Sequence, residues 1–254
     1  YLISSSTITY IYSIRNFMET KMEPNTYSKS THTAAEIDQG LRTYMLRVYN
    51  YMAIGLLITA LVAYFAAVSG VYIALAQTPL IWIIMLAPLG MVFYLSARIS
   101  RMSFSAAQTS FWVFSGLMGL SLSYIFLAYT GNSISRVFLI TSGAFGALSI
   151  YGYTTKKDLS AWGAFLFMGL IGIILASIVN IFIGSSGMQF GISVLGVLIF
   201  AGFTAYDTQQ IKEIYYQGDS HDISGRKAIM GALRLYLDFI NLFILLLQLF
   251  GQRR

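Results

Sequence analysis

Two carboxylic acids, Asp207 and Asp238, lie inside apolar stretches of a chain whose other acids fall in loops or in a polar N-terminal segment. A carboxylate at the centre of a membrane helix costs about 2.5–3.5 kcal/mol, so two on consecutive stretches exceed what packing explains. Brought together away from water, such a pair shares a proton. At a separation of about 5 Å and an effective dielectric of about 20, like charges repel by roughly 3 kcal/mol, which makes the pair sensitive to pH near neutrality. Protonated, it joins the segments that carry it. Ionised, it repels, opens, or takes a cation such as Ca²⁺, which favours carboxylate oxygens. The plainer alternative is a structural polar pair, neutral or matched by Arg234, that fixes the register of the segments.

The neighbouring polar residues follow helical spacing. Taking Asp238 as zero and about 100° per residue, Arg234 lies at about −40°, Asn241 at about −60° and Gln248 at about −80°. The opposite face, with Ile240, Phe243 and Leu247, is apolar. In the preceding stretch Thr204, Asp207 and Gln210 recur every three residues along one side. Adjacent helices with one polar stripe each turn those stripes toward one another and away from lipid. Asn180, one stretch earlier, is a further candidate for this seam.

The elements that carry these residues must be membrane helices. The chain is 57% hydrophobic and 10% charged over 254 residues, with a mean hydropathy of +0.68. A soluble domain carries roughly 25% charge, so the sequence predicts an all-α, polytopic membrane protein. Seven spans are expected: Met45–Val68, Leu80–Ala97, Phe104–Tyr129, Val137–Tyr153, Trp162–Ile183, Met188–Thr208 and Ile229–Phe250. They form one transmembrane domain over residues 41–254, preceded by a polar segment over residues 1–40 that is expected to be poorly ordered. Met18 or Met22 is a candidate natural initiator.

Lys and Arg alternate between the loops. Arg42 and Arg47, Arg98 and Arg101, Lys156 and Lys157, and Lys212, Arg226 and Lys227 share one side, while the other holds Arg136 and, after the last span, Arg253 and Arg254. Bases collect on the cytoplasmic side, so the N-terminus is expected there. A re-entrant seventh segment would return the C-terminus to that side as well. This explains the net charge of +6 without nucleic acid as a partner. The absence of cysteine rules out disulfides, thiolate metal sites and a cysteine nucleophile. Gly116, Gly119, Gly143, Gly146, Gly169 and Gly172 are expected at close helix–helix contacts. Tyr44, Tyr129, Tyr153 and Trp162 are expected in the interfacial belt.

The motifs Gly202-Phe-Thr-Ala-Tyr-Asp-Thr-Gln-Gln-Ile-Lys212 and Leu235-Tyr-Leu-Asp-Phe-Ile-Asn-Leu-Phe243 resemble the Bax inhibitor-1 (transmembrane Bax inhibitor motif) family. Gly143-Ala-Phe-Gly146, Tyr151-Gly-Tyr-Thr-Thr-Lys-Lys-Asp-Leu159 and Leu175-Ala-Ser-Ile-Val-Asn180 are similar to its bacterial branch. The resemblance covers roughly residues 37–254. It implies a bundle with the seventh helix central, no catalytic residues or cofactor, and a pH-dependent Ca²⁺ leak through a bacterial inner membrane. By motif, Asp207 and Asp238 become the pH sensor, gate and calcium ligands. A basic residue closing the second helix latches one aspartate in the family, here Arg101 or, alternatively, Arg98. Some bacterial relatives modulate a membrane protease, which leaves a non-transporting regulator of another membrane protein as a second reading. An intramembrane aspartyl protease is a third. Tyr206-Asp207 fits the first half of its signature, but Leu235-Tyr236-Leu237 replaces the glycines expected before the second aspartate, and no Pro-Ala-Leu follows.

Overall fold

Lipid offers a peptide group no hydrogen bond, so each apolar stretch must close its own backbone bonds as a helix. A computed structural model describes residues 34–254, with side chains from residue 38. Most of the polar segment 1–40, including Met18 and Met22, lies outside the described residues. Among the described residues seven helices are long and apolar enough to cross a membrane: Asp38–Val68, Leu80–Arg101, Phe104–Ala128, Gly131–Thr154, Ser160–Ile183, Ser186–Glu213 and His221–Phe250. A short helix, Val71–Ala76, joins the first two, entered through Gly70 at φ 75°.

Several helices outrun the apolar windows read from sequence. The sixth continues through its polar C-terminal turns to Glu213, and the seventh begins two turns early at His221. Hydropathy marks what suits lipid, whereas a helix stops only where its caps allow. Ser103, Ser185 and Ser220 supply those caps, their side chains accepting from the amides of Ala106, Met188 and Ile223. Most of the polar stretch between Gln209 and Lys227 is helix. Between the fourth and fifth spans Asp158 accepts a 2.8 Å bond from the Ser160 amide. Ser160, through its side chain first and its amide second, holds the Asp158 carboxyl below the usual carboxylate range. Its contribution is therefore present at neutral pH and lost only as strong acid protonates the cap.

Burial is uneven. In the seventh helix 67% of the most apolar window is buried, against 11% in the second and in the fifth. The seventh packs on the sixth, fourth and third. The outer helices present Phe182, Leu139 and Trp82 outward, at 85%, 71% and 68% exposure, as lipid contact requires. Tyr236 is fully buried, edge-on to Phe111 and Phe114 at 6.0 and 5.2 Å. Its hydroxyl lies 2.6 Å from Thr59 Oγ1, which also meets the Gly55 and Ser115 carbonyls at 2.9 Å. This node ties the first, third and seventh helices together. Tyr236→Phe is expected to cost about 1 kcal/mol; an unchanged melting temperature would show that the node contributes nothing.

Two expectations need correction. Gly119 and Gly169 do sit against neighbouring helices, but nothing stands within 4 Å of a Cβ placed at Gly116, Gly143, Gly146 or Gly172. The tightest approach of one helix to the backbone of another is at Gly152, where a Cβ would strike the Ala205 carbonyl of the sixth helix. Likewise Tyr44 and Tyr129 are buried, at 3% and 6% exposure, while Trp162 is exposed at 58%. Tyr129 is covered by the C-terminal residues. It bridges antiparallel to Arg253, and Thr130 N donates to the Gln252 carbonyl at 3.0 Å, as Arg254 N does to that of Ala128. The seventh helix thus runs unbroken and ends beside the turn between the third and fourth spans. At 30 residues, His221–Phe250, it is long and apolar enough to cross a membrane.

Candidate functional site

Asp207 lies about two turns before the end of the sixth helix, and Asp238 about five turns into the seventh. The early start of the seventh helix makes Asp238 deeper along its own axis than the apolar window implied. The two acids nevertheless come together along the interface of the sixth and seventh helices, where both line one groove. Asp238 is 5% exposed, and its Oδ2 is buried without a hydrogen-bond partner among the described residues. Asp207 is half-buried. A buried, unsatisfied carboxyl oxygen is costly, and a water, a proton or a cation would satisfy it.

Both acids line a groove of about 550 Å³ between the fifth, sixth and seventh helices. Arg234, Asn241 and Gln248 line it too, so the polar arc of the seventh helix faces one space. The apolar arc, Ile240, Phe243 and Leu247, is buried on the other side. Arg234 is exposed, and no ion pair within 4.0 Å joins it to either acid among the described residues. Asn241 Nδ2 donates to the Leu237 carbonyl of its own helix at 2.8 Å.

Three sequence candidates sit elsewhere. Thr204 is fully buried and returns its hydroxyl to the Phe200 carbonyl at 2.8 Å. Gln210, which shares its side of the helix in sequence, bonds Glu213 at the exposed end. Asn180 is far from the acids in chain terms, beside the turn into the sixth helix. Its Oδ1 accepts from the Ser185 amide at 3.0 Å, and Gly184 at φ 68° lets the chain reverse. Its Nδ2 donates to Gln189 Oε1 at 3.2 Å, and Gln189 Nε2 donates to Gln248 Oε1 at 3.1 Å. Ser193 Oγ completes the group 3.0 Å from Gln248 Oε1. Asn180 therefore belongs to an amide cluster at the end of the groove opposite the acids.

Arg98 and Arg101 are exposed at the end of the second helix, and neither pairs with an acid among the described residues. Another arginine holds that segment. Arg226, in the second turn of the seventh helix, points its Nη1 at the carbonyls of Ile99, Ser100 and Met102. Nothing in the sequence prefers it among the loop bases. Arg226→Ala is expected to lower stability by about 1–2 kcal/mol; a melting curve that overlays the wild type would reject this anchoring role. Around Asp207 the sixth helix is fixed by side chains that sequence did not single out. Gln209 Oε1 accepts from Leu159 N and its Nε2 donates to the Lys157 carbonyl, both at 2.8 Å. Thr208 Oγ1 lies 2.9 Å from Ser149 Oγ, which meets the Tyr49 hydroxyl of the first helix.

Among the described residues no three His, Cys, Asp or Glu side chains form a metal-binding group. Two carboxyls fall short of the six to eight oxygens that calcium takes in a resident site.

Comparison with known proteins bears on the same region. The family model described as Inhibitor of apoptosis-promoting Bax1 matches residues 41–254. An uncharacterized protein of Rickettsia prowazekii (strain Madrid E) is 47% identical over 232 residues, covering 90% of this chain and 98% of that one. The inner membrane protein YbhL of Escherichia coli (strain K12) is 48% identical over 219 residues, covering 85% and 94%. An uncharacterized membrane protein of Streptococcus pyogenes serotype M1 is 37% identical over 219 residues, covering 85% and 95%. With seven membrane-length helices and a family match over most of its length, the chain belongs to the Bax inhibitor-1 family of multi-pass membrane proteins.

Proposed function

We propose that the protein is a pH-sensitive calcium leak pathway, gated by Asp207 and Asp238 and without enzymatic activity. The observation that carries this reading is the buried Asp238 carboxyl, one oxygen unpartnered, sharing a groove inside the bundle with Asp207. While the pair shares a proton, a hydrogen bond joins the sixth and seventh helices and little negative charge faces the groove. When the proton leaves, two carboxylates confront each other, and a divalent cation relieves the repulsion beyond what Arg234, the one base lining the groove, supplies. The seventh helix, the most buried of the seven, serves as the axis about which the others are arranged. Arg101 or Arg98 acts as a latch only in a state where the second helix has moved, since neither reaches the acids here.

The distribution of Lys and Arg supports an N-terminus in the cytoplasm, and the similarity to YbhL, an inner membrane protein, supports an inner bacterial membrane. Purified protein in liposomes is expected to pass Ca²⁺ at a rate that varies with pH between about 6 and 8, the range of a coupled carboxyl pair. Flux equal to that of protein-free liposomes at every pH would overturn the reading. A second expectation follows from linkage. Ca²⁺ and the proton compete for the same oxygens, so raising Ca²⁺ must move the midpoint of the pH response toward acid. A midpoint independent of Ca²⁺ would place the ion elsewhere.

A further inference from the structure

We infer that the amide cluster at the far end of the groove is a second closure, independent of the acids, that seals the pathway on the side carrying the C-terminal residues. The inference rests on the proposed conduction through this groove. Asp238 and Gln248 lie ten positions apart on one helix, about 15 Å along its axis. Between them the lining is largely apolar, with Phe200, Ile244 and Leu245. A cation leaving the carboxyls toward this end meets no further charge before the cluster. There Asn180 of the fifth helix, Gln189 and Ser193 of the sixth and Gln248 of the seventh form a continuous hydrogen-bonded set.

The cluster has the features of a door rather than a hinge. Gln248 Oε1 accepts from Gln189 Nε2 and lies 3.0 Å from Ser193 Oγ, whose one proton it shares with the Gln189 carbonyl, so a single side chain joins the seventh helix to the sixth across the mouth. Gln189 then passes the connection to the fifth through Asn180. Gln248 is itself exposed, so these bonds are not locked inside the packed core. Bonds of that kind are worth little net and exchange readily. Once separated, the same residues offer uncharged amide and hydroxyl oxygens, the hard donors a calcium ion accepts as it regains water. None of the four side chains titrates, so the closure adds no pH dependence of its own.

The chain contains no cysteine, which permits a clean test. Ile244→Cys places one thiol in the groove between the acids and the cluster. A membrane-impermeant thiol reagent is supplied only from the face that carries the C-terminal residues. Adding Gln248→Ala, which removes both accepted bonds and fills no space, is expected to raise the labelling rate about tenfold. In the protein without Ile244→Cys it should also raise residual Ca²⁺ flux at the least permissive pH, with the pH midpoint unchanged. Gln248→Glu keeps the accepting oxygen and should restore slow labelling, which separates closure from general damage to the fold. Equal labelling in Gln248 and Gln248→Ala proteins would overturn the inference. If wild-type protein passes no Ca²⁺ at any pH, the channel reading fails, while the labelling rates still decide whether the mouth is closed by these amides.

Discussion

Asp207→Asn and Asp238→Asn should each flatten the pH dependence of Ca²⁺ flux between about 6 and 8, and the double variant should be no flatter than either single one. An asparagine keeps the shape of the side chain and can still hydrogen-bond, but it neither gives up a proton nor acquires a charge. Either replacement therefore leaves one carboxyl with no ionising neighbour, and the repulsion of roughly 3 kcal/mol that couples the two is gone. Groups that act as a unit are non-additive by nature. Asp238→Asn should also stabilise the resting bundle, because it removes a carboxyl that is 5% exposed with an orphaned oxygen. Two single variants with intact, merely shifted pH profiles would show that the acids titrate independently.

The second large effect is structural. Gly152→Ala is expected to destabilise the protein by about 3 kcal/mol, and the larger side chain of Gly152→Leu to prevent folding. The added carbon would meet the Ala205 carbonyl and backbone, which cannot swing aside as a side chain can. The fourth and sixth helices would then be forced away from each other close to Asp207. Gly146→Ala is the control. Gly146 is on the same helix with open space beside it, and replacing a helical glycine with alanine gains up to about 1 kcal/mol in backbone propensity. Thermal unfolding in detergent separates the two; equal melting temperatures would refute the close approach at Gly152.

These glycines also show what sequence can and cannot resolve. The seven crossings were legible because lipid imposes a length and a polarity that composition reveals directly. That Asp207 and Asp238 would line one groove with Arg234, Asn241 and Gln248 was legible too, because a helical arc can be read from spacing alone. Which small residues touch a neighbour was not, since Gly146 and Gly152 look alike until the facing helix is known. The same blindness applies to tyrosines. A belt position and a core position have the same residue type, and only the return of the C-terminal residues over Tyr129 distinguishes them. Arg226 was hidden among equivalent loop bases because its partners are backbone carbonyls, which carry no sequence signal. Gln189 and Ser193 were missed for a related reason: their meaning depends on Gln248, some sixty residues away. A polar pair flanking the turn at Gly184, with Asn180 before it and Gln189 after it, is the one local hint that was available.

The central claim is that the two carboxyls hold one exchangeable proton between them. Infrared difference spectroscopy of the reconstituted protein, stepped from about pH 6 to 8, observes that proton through the carbonyl stretch of a protonated acid. The account predicts such a band, lost as the pH rises and absent from both Asp207→Asn and Asp238→Asn. A spectrum with no protonated acid anywhere in that range, or a band that survives in either variant unchanged, would contradict it.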